Sequence, residues 1–199
     1  MVAPQNPPLP EKGIAMKNYS KPVSIIAMVV QILLWVGTAL VACALIWTFV
    51  VPEVADSLFV GGIEGGSIEM MGVSVEHVDR SLAAFRTILG YGVVALGLSA
   101  MVTRNITLIS RSLAAQPEFS ETNTPFTPDN VRMVREIGLF CVSISLWGLV
   151  ATWVVFGVSG GAVETSWSQM GLLLGLVVLW LSTMFAYGHR LQDDVEGLV

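Results

Sequence analysis

Charge is scarce in this chain, and scarcest where chemistry would need it. Only 13% of the 199 residues are Asp, Glu, Lys or Arg, about half the share of a soluble domain. With 54% hydrophobic residues and a mean hydropathy of +0.72, a water-soluble fold of this length could not hide its apolar surface. Histidine and cysteine each occur twice. Inside the four longest apolar stretches there is no Asp, Glu, His or Lys. Intramembrane proteolysis, which needs paired carboxylates, an activated serine or zinc ligands at depth, therefore lacks its catalytic set. Ser143, Ser145 and Ser182 are present, but no base lies beside them in any span. There is no phosphate-binding loop either. The expectation is a non-enzymatic protein with no catalytic residue, cofactor or resident metal.

What the chain has is length in its apolar runs. These cover about residues 23–51, 82–102, 137–157 and 170–187, each meeting or approaching the roughly 20 helical residues that cross a hydrocarbon core. The expected fold is all-α: a polytopic membrane protein, a four-transmembrane-helix bundle occupying residues 21–199 behind a disordered tail over residues 1–20. Leu40-Val41-Ala42-Cys43 matches a lipobox in four residues, but the apolar run continues to Val51 without a polar tether, so the first span is read as uncleaved.

Charge distribution predicts the orientation. Lys12, Lys17 and Lys21 precede the first span; Arg104, Arg111, Arg132 and Arg135 join the second to the third; Arg190 follows the fourth. Only Arg80 and Arg86 fall near the other side, where Glu53, Asp56, Glu64, Glu69, Glu76 and Asp79 gather. Basic residues resist translocation, so both termini and the central connection are expected in the cytoplasm. Trp47, Trp153 and Trp167 are expected at the outer interface, and Trp35, Trp147 and Trp180 between helices.

Local patterns add detail. Gln31, mid-span, should seek a partner on a neighbouring helix, and Gly90, Gly92 and Gly97, with Gly171 and Gly175, should permit close helix approach. Arg86 can snorkel outward along its own stem. Glu76, His77 and Asp79 read as solvated loop residues rather than a metal site. Cys43 and Cys141 read as packing residues, with a pairing left open. After Arg104 an amphipathic helix should continue to Pro117. A new one should begin at Thr127-Pro128-Asp129, where Thr127 caps, Pro128 suits the first turn and Asp129 complements the dipole.

Two segments carry a resemblance. One is Thr124-Pro125-Phe126-Thr127-Pro128-Asp129-Asn130-Val131-Arg132 with Arg135-Glu136-Ile137-Gly138. The other runs from Gly171-Leu172-Leu173-Leu174-Gly175 through Phe185, Gly188, Leu191, Gln192 and Asp193-Asp194. Together, over about the C-terminal 75 residues, they resemble the DUF2975 family of small bacterial four-span membrane proteins of unknown function. The polar segment Glu118 to Thr124 departs from the family pattern. The resemblance implies a bacterial plasma membrane and, as a partner, a small Cro-like helix-turn-helix regulator, with no direct nucleic-acid binding by this chain.

The motifs concentrate on the expected cytosolic face while the spans carry few polar groups. A regulatory or interaction protein is therefore expected, with Phe126, Thr127, Asn130, Arg132, Arg135, His189, Arg190 and Gln192 as candidate partner-binding residues. The alternative is a small transporter or a homo-oligomeric channel subunit lined by polar side chains such as Gln31 and Thr38.

Overall fold

A computed structural model describes residues 11–55, 66–78, 81–115 and 127–196. Long helices dominate: α1 (Glu11–Val50), α3 (Leu82–Ala115), α4 (Pro128–Ser159) and α5 (Met170–Glu196), with a single turn α2 (Pro52–Ala55) after the first. All four long helices are apolar and long enough to cross a membrane, the architecture of a multi-pass membrane protein. Their exposure fits that solvent. Only 6% of the most apolar window of α1 is buried within the protein, and 11% of that of α5. In water such surfaces would aggregate.

The helices pack in sequence order, α1 on α3, α3 on α4 and α4 on α5, with no comparable packing between α1 and α5. The arrangement is a row rather than a closed square. One end of the row carries Arg104, Arg111, Arg132, Arg135 and Arg190, and is called the basic end below.

The other end holds an element that the sequence reading passed over as loop. Strands β1 (Ile68–Met70), β2 (Val73–Glu76) and β3 (Glu164–Trp167) form an antiparallel sheet in the order β1-β2-β3. Met71 (φ 48°) and Gly72 (φ 83°) make the two-residue turn between β1 and β2, the paired positive-φ geometry that closes tight hairpins. Val73 and Val75 point inward and are fully buried; Ser74 and Glu76 point away. An apolar core forms here, where Val73, Val75 and Val78 meet Phe85, Ile88, Tyr91, Ala151 and Val155.

This sheet reaches deep between the helices. The indole N–H of Trp167 donates to the carbonyl of Ser145 at 3.0 Å, roughly 14 residues, or about 21 Å, along α4 from its end at Ser159. The Tyr91 hydroxyl donates to the Met71 carbonyl at 2.9 Å, and the Ser168 amide to the Gly72 carbonyl at 2.7 Å. Non-helical backbone at such depth needs its polar groups met by protein, and both turn carbonyls are met in this way. Glycines make the room. A Cβ on Gly92 would overlap the Met70 sulfur, and one on Gly148 would press on Val73 and Tyr91.

Several expectations are corrected. The tail expected to be disordered over residues 1–20 is helical from Glu11, while residues 1–10 lie outside the described part. Trp35, Trp147 and Trp180 are exposed rather than packed between helices, because the apolar surround takes them as readily as a core. Trp167 lies half-buried between helices, its indole bonded to Ser145. Arg86 does not run free along its stem: its guanidinium donates to the Thr48 carbonyl on α1 and lies 4.5 Å over the Phe49 ring. Among the described residues nothing lies within 4 Å of a Cβ on Gly90 or Gly97, whereas Gly171 and Gly175 do bring α5 against Ser145 and Val142 of α4. Cys43 and Cys141 are both free thiols. The second and third apolar stretches extend further than expected, over Leu82–Ser112 and Pro128–Ser159.

These contacts separate glycines that matter from those that do not. Gly175→Ala puts a methyl 2.8 Å from the Val142 backbone nitrogen and should destabilise by about 1–3 kcal/mol. Gly97→Ala should be neutral, or stabilising by up to about 1 kcal/mol. Thermal unfolding in mild detergent measures both. In the same assay Tyr91→Phe, which strips the hairpin turn of its hydroxyl donor, should cost about 1 kcal/mol.

Candidate functional site

At the basic end α3 buries uncharged polar side chains while its arginines, Arg104 and Arg111, stay exposed. Asn105, Thr107 and Ser110 are buried, while Ile106 and Leu108 are exposed. Asn105 and Ser112 bond to α4, whereas Thr107 lies on the side toward α1. The helical continuation expected after Arg104 is present, with α3 running to Ala115.

Between α3 and α4 lies a cleft of about 520 Å³, bounded by Arg104, Asn105, Ser112, Thr127, Asp129, Asn130, Arg132 and Glu136 among others. Glu136 is its hub. One carboxylate oxygen accepts from Arg132 Nε at 2.8 Å and the other from Asn105 Nδ2 at 3.1 Å, across the helix interface. Arg104 adds a further favourable charge nearby. Seven residues along α3 from Asn105, Ser112 donates to Asn130 Oδ1 at 3.1 Å. Asn130, 2% exposed, is seated by the helix start: its amide donates to the Thr127 hydroxyl at 3.3 Å, with Pro128 in the first turn. The capping logic read from the sequence thus also delivers Asn130 to the cleft.

A second depression lies on the other side of α4. Pro128, Val131, Arg132 and Arg135 face Ala186, His189 and Arg190 of α5 across about 260 Å³. The approach of α5 follows from small residues: Gly138 seats Leu179, and Gly175 seats against Val142. Because Leu179 packs at Gly138, two residues from Glu136, the Glu136–Asn105 contact lies alongside the apolar run Met170–Leu191 of α5 rather than beyond it.

The candidate residues read from sequence therefore divide. Thr127, Asn130 and Arg132 line the α3–α4 cleft; Arg132, Arg135, His189 and Arg190 line the α4–α5 groove. Phe126 lies outside the described residues, and Gln192 falls on α5 with its side chain outside them. Sequence reasoning passed over Arg104, Asn105, Ser112 and Glu136 as site residues. The signals were present in part: Arg132 and Glu136 form an opposite-charge i,i+4 pair, and Asn105 and Ser112 share a helix face. Their convergence needs the α3–α4 packing.

Arg132 is largely exposed, so Arg132→Gln should leave the unfolding temperature nearly unchanged. Glu136→Ala instead removes the partner of a buried amide at Asn105 and should cost about 1–3 kcal/mol, read from the same thermal melts. No protein-family model, curated protein or solved structure matches this chain, so the geometry of the basic end stands as the ground for a functional reading.

Proposed function

We propose that this chain is a non-enzymatic membrane protein whose cytosolic face docks an acidic segment of a soluble partner. The observation that supports it is the convergence of Arg132, Arg135, His189 and Arg190 on one groove between α4 and α5. A cationic groove floored by Val131 and Ala186 suits an acidic segment with apolar anchors, since charge sets orientation and on-rate while desolvated apolar contact supplies affinity. The reading takes the basic end as cytoplasmic, from the bias of Lys and Arg toward it, with both termini on that side of a bacterial plasma membrane. The resemblance to DUF2975 names a candidate partner class, a small helix-turn-helix regulator.

A second reading, a transporter or oligomeric channel subunit, draws on Glu136 and Asn105 lying beside an apolar run of α5. Ionisable groups at such positions often mark ion or proton paths.

Affinity capture from native membranes in mild detergent separates the two. Arg135→Glu with Arg190→Glu should abolish recovery of the soluble partner while the protein stays folded. Partners held equally by this variant would refute docking in the groove. Proton or ion flux in liposomes that disappears in Glu136→Gln would instead favour the second reading.

A further inference from the structure

A third depression, of about 280 Å³, lies between α1 and α3 at the basic end. We propose that this groove, formed by Met28, Gln31, Ile32, Arg104, Leu108 and Arg111, binds the headgroup of an anionic phospholipid in the adjoining leaflet.

Three observations carry the inference. The first is charge. Arg104 and Arg111 are seven residues apart on one face of α3, both exposed, with Leu108 between them. Glu136 is engaged by Arg132 and Asn105, and its single charge also serves Arg104. No acidic side chain lines the groove among the described residues; the recorded polar contact of Arg111 is with the Met28 sulfur at 3.5 Å. Gln31, the one polar residue that α1 brings to the groove, has no hydrogen-bond partner among the described residues. Two guanidinium forks and an amide thus stand open to an anion.

The second observation is the surround. Ile25, Met28, Val29, Ile32 and Leu33 on α1 are exposed, as are Ile106 and Leu108 on α3. Such a rim is hostile to a free, fully hydrated anion and suits the glycerol and upper acyl chain of a lipid. The third is depth. Met28, which Arg111 contacts, lies about 6 Å inside the start of the apolar run of α1 at Ser24, and Gln31 about 10 Å inside it, depths from which long arginine stems extend toward the interface.

The test uses the purified full chain in mild neutral detergent. Native mass spectrometry would count retained lipid after addition of phosphatidylglycerol, phosphatidylcholine or inorganic phosphate. Phosphatidylglycerol should be retained over phosphatidylcholine, and inorganic phosphate should not displace it at equal concentration. Each arginine near a membrane surface adds about 1 kcal/mol toward anionic lipid, so Arg104→Gln with Arg111→Gln should weaken retention roughly thirtyfold. Arg104→Lys with Arg111→Lys should preserve much of it. Arg135→Gln with Arg190→Gln removes the same net charge elsewhere and should leave it unchanged. Equal retention of both lipids by the unaltered protein would overturn the proposal, as would equal loss in the two glutamine variants. Displacement by inorganic phosphate would reassign the groove to a soluble anion.

Discussion

Backbone that is neither helical nor solvated must find hydrogen-bond partners inside the protein, and the Met71–Gly72 hairpin is built around that demand. Its two turn carbonyls are taken by the Tyr91 hydroxyl and the Ser168 amide, while the indole of Trp167 fastens the third strand to Ser145. These bonds place a small sheet where a helix pair would otherwise touch. They also explain why the row of helices is uneven. The chain descends through β3 before α5 begins, so α5 starts beside Ser145 and runs only along the basic-end portion of α4.

At the basic end, along which α5 runs, several uncharged polar groups are buried between the helices. Asn105, Thr107, Ser110 and Asn130 turn inward, and Ile106, Leu108 and the exposed face of α1 turn outward. The helices are therefore arranged with polarity inside, as expected when the surround cannot hydrogen-bond. Each of the three depressions at this end has α3 or α4 as a wall, and arginine lines all three. The basic surface is thus divided among a cleft between α3 and α4, a groove between α4 and α5 and a groove between α1 and α3.

Much of this was legible in particular residues. The apolar runs announced four long helices. Thr127-Pro128-Asp129 announced the start of α4, where the structure shows Thr127 accepting from the Asn130 amide. Gly171 and Gly175 announced the close approach of α5. The sheet was not read, although Val73-Ser74-Val75-Glu76 alternates with period two, because Met71-Gly72 lacks the usual Asn-Gly or Asp-Gly turn signature and β3 lies about ninety residues away. Glu136 was visible as a residue at the edge of a span. Its role as the meeting point of Asn105 and Arg132 was not.

The sequence by itself determined the solvent of this protein and the number of its long helices, because both depend on local hydrophobicity summed over runs of residues. Capping at Thr127 was equally local. Which glycine faces a neighbour, whether a tryptophan meets lipid or core, and which arginine shares Glu136 were decided only by tertiary structure. Those properties depend on helix rotation and on contacts between residues far apart in the chain. Gly92 and Gly97 carry the same side chain on the same helix, yet one receives Met70 from the hairpin and the other faces open space.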